Sequence, residues 1–267
     1  MKQHSKEGKT GGALESLVIA FSMYSRIPMP QAAWSEAGMR YALCFFPLVG
    51  AVLALIWILC WMALHAAGLS LLASGCILTV LPILVTGGIH MDGLLDTLDA
   101  RSSCQNRERK LEILKDSHSG AFAIIGCGVY LLLYLAAVSQ MMEGKKVCLA
   151  AASIFVMSRA LSSWSVVAFP KARKDGLATS FSDQARSRMV KLTSVLWYLA
   201  GFLFAWSMDG LILALGLLLV SLASFYCYRK MALKEFGGVT GDLAGYFLQR
   251  TELLMMMLLA LGSRFLP

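Results

Sequence analysis

Long apolar runs restrict this chain to a fold whose helices lie in a membrane. A hydrocarbon core of about 30 Å needs roughly 20 apolar residues in a helix, and six stretches reach or approach that length. Helices are required because backbone N–H and C=O groups in lipid must be satisfied within the segment. The runs are Tyr41–Ala67, Leu69–Thr86, Gly120–Met142, Val147–Phe169, Val190–Met208 and Gly210–Tyr228.

Two shorter apolar runs determine how many crossings are predicted. Leu253–Phe265 would add a seventh crossing, whereas Ala13–Ser25 is short enough to lie in the interface or to re-enter. We therefore predict an all-α, polytopic integral membrane helical bundle with about six to seven transmembrane helices. Residues 1–267 would form a single integral membrane catalytic domain, and residues 1–13 a polar tail.

Composition agrees with a membrane protein and gives no reason to expect a nucleic-acid partner. The chain is 58% hydrophobic and 15% charged, against about 45–50% and about 25% in soluble domains. Its net charge of +8 is explained by the excess of Lys and Arg in short cytoplasmic loops. The seven cysteines are odd in number and form no C-x-x-C motif, so we expect neither a disulfide framework nor a zinc site.

Positive charge is concentrated in alternate connections between the apolar runs. The turns near Gly68 and Asp209 carry none, and the turn near Glu143 carries only two lysines. The positive-inside rule therefore places the N-terminus, the long polar connections and any active site on the cytoplasmic face. The basic segments are 1–13, 101–115, 171–191 and 229–250.

Three aspartates form a stripe just after the second run. Asp92, Asp96 and Asp99 fall within about 60° of one another on a helix and follow Gly87-Gly88. Like charges at this spacing destabilise a helix, so a cation is expected to compensate them. Mg²⁺ favours such hard oxygen ligands together with substrate phosphates. A water-facing helix end and a proton or cation relay remain the alternatives.

A second polar cluster precedes the third run. Lys115 suits a phosphate, Asp116 could join the metal site, and Ser117 begins a stretch of small residues where backbone N–H groups can meet an anion. An ordinary capped helix start explains the same pattern.

Two arginines belong to the fourth run and the segment after it. Arg173 could clamp a phosphate through paired hydrogen bonds, although positive-inside charge explains it equally well. Arg159 lies inside the run and so needs a partner in the bundle interior. An aspartate of the acidic stripe or a substrate phosphate would serve.

The last polar cluster is glycine-rich. Gly237 and Gly238 would let backbone N–H groups approach an anion, beside Thr240. Asp242 adds a further carboxylate for a metal or for catalysis, and Glu252 follows close to the last apolar run. Acidic residues suited to a metal, basic residues suited to phosphate, and glycine loops all fall on one face. Together they favour phosphoryl transfer.

The ordered motifs resemble the cobalamin synthase (adenosylcobinamide-GDP ribazoletransferase) family over nearly the whole chain. The stretch from Gly87 to Asp99 is similar to the family's G-G-L-H-L-D-G-L-A-D-T-A-D. The other similar segments are Arg26-Ile27-Pro28, Phe46-Pro47-Leu48-Val49-Gly50, Lys115-Asp116-Ser117 with Gly120, Ala172-Arg173 with Gly176-Leu177 and Phe181, and Gly237 to Asp242 with Gly245 and Glu252.

The resemblance implies an enzyme of the last stage of cobalamin (vitamin B12) biosynthesis. A ribose hydroxyl of α-ribazole, or of its 5′-phosphate, would attack the cobinamide-bound phosphate of adenosylcobinamide-GDP. GMP would leave, with Mg²⁺ required, and adenosylcobalamin or its 5′-phosphate would form. The implied location is the bacterial cytoplasmic (inner) membrane, with possible partners among other cobalamin-assembly enzymes.

Residue roles follow from the matching motifs. The resemblance implies Mg²⁺ held by Asp92, Asp96 and Asp99, with Asp116 and Asp242 as further catalytic carboxylates. Substrate contacts are implied for His90, Lys115, Ser117, Arg159, Arg173, Gly237, Gly238, Thr240 and Glu252. His118 departs from the family pattern, because it stands where Arg is usual, and this puts one phosphate contact in doubt.

Two other functions compete with this interpretation. A CDP-alcohol phosphotransferase also pairs an acidic membrane helix with magnesium, but its motif has Ala-Arg where Asp96-Thr97 stands, and a four-residue spacing where Asp96 and Asp99 are three apart. A transporter would use intramembrane Asp and Arg residues as a relay. The lack of an inverted repeat counts against transport.

Overall fold

The structure is a computed structural model that describes residues 9–31, 34–116, 118–142, 144–173 and 176–265. The described chain is a bundle of α-helices, which confirms the predicted fold class. In chain order the helices are α1 (Lys9–Tyr24), α2 (Glu36–Ala66), α3 (Leu71–Thr86), α4 (Ile89–Ser102), α5 (Arg107–Ile113), α6 (Ala121–Met141), α7 (Lys145–Ala168), α8 (Leu177–Gln184), α9 (Ser187–Asp209), α10 (Leu211–Met231) and α11 (Gly241–Phe265). One π-helical turn, Ala232–Phe236, extends α10.

Within the described residues, five helices are long and apolar enough to cross a membrane. They confirm five of the six long runs as helices of spanning length. The sixth run, Leu69–Thr86, forms the 16-residue α3, and α3 with α4 makes a bent pair that could count as one further span. The five helices are α2, α6, α7, α9 and α10 with its π turn.

Two glycines produce the bend between α3 and α4. Gly87 and Gly88 have φ angles of +67° and +80°, a left-handed conformation that glycine adopts without the steric cost of a Cβ. Gly87 ends α3, and its N–H bonds back to the last turn of that helix. The chain then turns by 96°, so that α4 crosses the bundle instead of continuing along it.

The polar connections meet at one end of the bundle, called here the polar end. Backbone hydrogen bonds join the end of α7 to the start of α11, from Ala172 N to Val239 O (3.0 Å). Another joins the segment before α9 to the start of α2, from Arg186 N to Arg40 O (3.1 Å). At the opposite end, Trp61 Nε1 at the end of α2 donates to the carbonyl that follows α6. Alternate connections therefore lie together, as the charge pattern predicts.

Helix α1 runs beside the first third of α2 in the same direction. Near its start, Glu15 accepts a hydrogen bond from Ser35 Oγ, the residue that caps α2. At its end, Tyr24 packs on Phe46, with ring centroids 4.1 Å apart. Phe46 lies eleven residues beyond Ser35, or roughly 16 Å along a helix. The short apolar run Ala13–Ser25 thus enters the bundle from the polar end, and the chain after it returns.

Helix α11 contains the short run Leu253–Phe265 as its second half. It packs against α4, α6, α7 and α10. Glycines allow the closest approach, to α4. A Cβ at Gly93 would lie 2.6 Å from the carbonyl oxygen of Asp242, and one at Gly245 would lie 3.1 Å from that of His90. Both contacts are to backbone, so neither helix can yield by a side-chain movement alone.

The α4–α11 contact generates a stability prediction. Gly93→Ala adds a methyl group where the Asp242 backbone already sits, and overpacking of this kind costs about 1–3 kcal/mol. Gly128→Ala in α6 is the matched control, because its Cβ would meet nothing within 4 Å. We expect a lower melting temperature in detergent for Gly93→Ala and an unchanged or higher one for Gly128→Ala. Equal melting temperatures would contradict the close approach.

Candidate active site

A cavity of about 320 Å³ opens between α1, α2, α4, α7, α8 and α11. Its lining divides by chemistry into two parts. The charged half contains Asp92, Arg173 and Asp242. The aromatic half contains Tyr24, Phe46, His90 and Phe181.

The glycine contact between α4 and α11 brings two sequence-predicted carboxylates to one cavity. Asp92 lies in the first turn of α4, next to Gly93, and Asp242 lies in the first turn of α11. Because Gly93 sits against the Asp242 backbone, both side chains face the same space. His90 lines that cavity as well, although it is on nearly the opposite side of α4 from Asp92, since the cavity wraps around the start of the helix.

Arg173 is fixed beside Asp242. Its Nη2 lies 3.8 Å from Asp242 Oδ2 and donates to the carbonyl of Leu111 (3.1 Å). Thr240 Oγ1 donates to the same carboxylate oxygen and accepts from Leu243 N (3.2 Å), which caps the start of α11. Arg173 Nε is buried without a hydrogen-bond partner among the described residues. An acidic and a basic group, each held in place, thus share one wall.

Asp96 and Asp99 occupy different surroundings from Asp92. Asp99 accepts hydrogen bonds from Gly120 N and Ala123 N (2.8 Å), so it caps the start of α6. Asp96 is half-buried, and Asp92, Asp242 and Asp99 all act on it electrostatically. Such a group of like charges favours a bound cation.

The described carboxylates can be compared with the ligand pattern of Mg²⁺. Within them, no group of three or more His, Cys, Asp or Glu side chains is arranged to hold a metal ion by itself. Mg²⁺ commonly takes one or two carboxylates and completes its coordination with substrate phosphates and water. Asp92 and Asp96, with Asp242 near them, fit that pattern by charge and by ligand type.

Arg159 and Glu252 lie below the cavity and pair with each other. Arg159 Nη1 is 2.7 Å from Glu252 Oε1, and both side chains are 1% exposed. Ser158 Oγ donates to the same oxygen (2.8 Å), and Arg159 also donates to the carbonyl of Phe155 (3.0 Å). The partner of Arg159 is therefore a glutamate of α11 and not an aspartate of the acidic stripe. Neither residue lines the cavity.

The paired glycines before α11 allow close packing of neighbouring parts of the chain. Gly237 has a φ of +74°, and the guanidinium of Arg107 occupies the space of a Cβ there. Gly238 lies against the backbone of Lys171, too close for any side chain. Neither glycine lines the cavity, whereas Thr240, three residues after Gly237, does.

Lys115 and Asp116 do not line the cavity. Asp116 Oδ1 accepts hydrogen bonds from the backbone (3.0 Å) and the ring (2.8 Å) of His118, and these bonds hold the pKa of that carboxyl below its ordinary value. Lys115 directly precedes Asp116, and its backbone N–H donates to the carbonyl of Glu112. The prediction for Ser117 lies outside the described residues.

Sequence reasoning predicted His90 but missed the other three side chains of the aromatic half. Tyr24, Phe46 and Phe181 are far apart in the chain and were not among the predicted site residues, yet all three line the cavity. Phe46 and Phe181 do belong to motifs that resemble the cobalamin synthase family. Their presence in those motifs was the only signal in the sequence.

Comparison with known proteins identifies the family. The chain matches the family described as cobalamin-5-phosphate synthase over residues 16–260. It is 47% identical to the adenosylcobinamide-GDP ribazoletransferase of Lachnoclostridium phytofermentans, over 90% of this chain and 91% of that protein. It is 32% identical to the protein of the same name from Desulfitobacterium hafniense, over 92% of this chain and 96% of that protein.

No solved structure matches the chain. The family match covers both halves of the cavity, since their residues, from Tyr24 to Asp242, all fall within residues 16–260. The chain belongs to the cobalamin-5-phosphate synthase family.

Proposed function

We propose that this chain joins α-ribazole, or its 5′-phosphate, to adenosylcobinamide-GDP and releases GMP. The product is adenosylcobalamin or its 5′-phosphate. The observation that carries the proposal is that Asp92, Asp242 and Arg173 line one cavity. The names of the relatives support the choice of substrates.

The reaction needs an activated hydroxyl and stabilised phosphate charge. The ribose hydroxyl oxygen forms a bond to the cobinamide-bound phosphorus, and the bond from that phosphorus to the bridging oxygen breaks, so GMP leaves with this oxygen. Asp242 accepts a hydrogen bond from Thr240 and lies beside Arg173, and in this proposal it would take the hydroxyl proton. Arg173, whose buried Nε has no partner in the described chain, is suited to a phosphate oxygen.

Asp92 and Asp96 would hold Mg²⁺ together with phosphate oxygens of the substrate. When bound, Mg²⁺ neutralises charge on the transferring phosphoryl group. Asp99 would keep α4 against α6 through the hydrogen bonds that it accepts from backbone N–H groups at the start of α6. The aspartates of one stripe thus have separate tasks in this proposal.

The proposed location is the bacterial cytoplasmic membrane, with the polar end and the N-terminus in the cytoplasm. The basic connections at that end support this orientation through the positive-inside rule. The substrates are charged and water-soluble, so a site open to the cytoplasm also suits them. Other cobalamin-assembly enzymes could dock on the same polar end.

Activity is the first test of the reaction. Purified protein in detergent should release GMP from adenosylcobinamide-GDP when given α-ribazole and Mg²⁺, with a matching cobalamin product, and EDTA should abolish release. Asp92→Asn should lower kcat by at least about 100-fold, since it removes charge placed at the reacting phosphate. Asp209→Asn, the same change at the opposite end of the bundle, should leave kcat within about 2-fold.

Two outcomes would count against the proposal. Turnover by Asp92→Asn at the wild-type rate would remove the metal assignment. No GMP from folded wild-type protein would remove the reaction, and CDP-alcohol substrates and transport would then be tested.

Orientation can be tested with one native and one introduced cysteine. Cys104 is exposed at the polar end, and Ala67 is exposed at the opposite end. In a background without other cysteines, a membrane-impermeant maleimide should label Cys104 only in inverted vesicles. Ala67→Cys should be labelled only in intact spheroplasts. The reverse pattern would place the site outside the cytoplasm.

A further inference from the structure

The aromatic half is a preformed set of rings next to the charged half. The Tyr24 and His90 rings are stacked, with an interplanar angle of 21° and centroids 6.0 Å apart. Phe46 lies 5.5 Å from the His90 ring, and Phe181 lies 6.4 Å from that of Tyr24. Flat aromatic ligands bind well against such surfaces, because they gain offset or edge-to-face contacts beyond simple burial.

His90 brings a polar atom into this apolar surface. The residue is 5% exposed, and its Nε2 is buried without a hydrogen-bond partner among the described residues. Buried polar atoms are nearly always hydrogen-bonded, so an exception at a cavity wall calls for an explanation. A largely apolar ligand with one hydrogen-bonding atom would give His90 Nε2 its missing partner.

We propose that the aromatic half binds the base of the acceptor nucleoside, and that His90 Nε2–H donates a hydrogen bond to the free ring nitrogen of that base. This inference rests on the proposed function. It makes His90 the residue that determines specificity for a benzimidazole-type base. Such a base is flat and largely apolar, with a single unsubstituted ring nitrogen.

The guanine of the other substrate fits this half less well. Guanine has several donors and acceptors along its edges, and those left unpaired among aromatic rings would weaken its binding. A volume of about 320 Å³ is at the lower end of the range for small-molecule sites. A nucleoside matches that size, whereas a corrin ring must remain largely outside.

The same placement directs the ribose toward the reacting groups. His90 precedes Asp92 by two residues, and the His90 backbone touches Gly245, three residues after Asp242. A base held at His90 therefore leaves its ribose next to the charged half. A ribose hydroxyl can then reach the carboxylate of Asp242, which is the base in the proposed reaction.

The test compares two nucleosides in direct binding. One is α-ribazole, and the other is the indole-type riboside in which the free ring nitrogen is replaced by C–H. Equilibrium dialysis with the purified full chain in detergent, without corrinoid, should show wild type preferring α-ribazole by about 10-fold. His90→Phe should reduce that preference to less than about 2-fold and keep its affinity for the indole-type riboside within about 3-fold.

Two further variants separate recognition from structure. His90→Gln keeps a donor and should retain a preference of more than about 3-fold. His65→Phe makes the matched change at the opposite end of the bundle, where His65 stacks on Trp61, and should behave as wild type. A purely structural role of His90 would instead weaken both nucleosides equally.

Three results would overturn the inference. The first is equal binding of both nucleosides by wild type, which decides the matter even if His90→Phe does not fold. The second is full retention of the preference by His90→Phe. The third is weaker binding of GMP, in place of α-ribazole, by His90→Phe, which would assign the aromatic half to guanine. Because dialysis requires no turnover, failure here is distinct from failure of the GMP-release assay.

Discussion

The backbone contact between α4 and α11 at Gly93 is the constraint on which the site depends. Asp92 and Asp242 are 150 residues apart in the chain, and they face one cavity only because a residue without a side chain lets the two helices touch. The 96° bend at Gly87-Gly88 is the other condition, since a straight α3–α4 helix would carry the aspartates along the bundle. Glycine therefore determines how closely α4 and α11 approach and in which direction α4 runs, and so brings the two carboxylates to one cavity.

A buried ion pair joins two of the helices that surround the cavity. Arg159 and Glu252 link α7 to α11, and the Arg159 guanidinium also lies 5.7 Å from the Phe46 ring centroid. Removing one partner would leave a buried charge uncompensated, which typically costs about 3–5 kcal/mol. Because α2 comes so close to Arg159 at Gly50, three helices are fixed around one charge. Through Phe46, the aromatic half is in contact with this ion pair.

Sequence patterns predicted the features that depend on local periodicity. Run length predicted the long helices, and alternation of charge predicted which connections lie together. The spacing of the aspartates predicted that they share one side of α4, but the hydrogen bonds that Asp99 accepts from Gly120 N and Ala123 N depend on where α6 begins, which spacing within α4 cannot reveal. Likewise, a glycine pair such as Gly237-Gly238 is typical both of an anion-binding loop and of two crossing chain segments. Only the position of Lys171 distinguishes them.

The position of the cavity among the helices suggests why a membrane bundle suits a transferase. In the proposed reaction, water competes with the ribose hydroxyl for the activated phosphate, so a site that excludes water favours transfer over hydrolysis. Tyr24 and Phe46 meet about a third of the way along α2, which places the aromatic half within the bundle and the charged half nearer the polar end. A base bound among those rings would fill the apolar part of the cavity and displace water from it. The nucleoside would thus help to protect the bond to which its own hydroxyl is delivered.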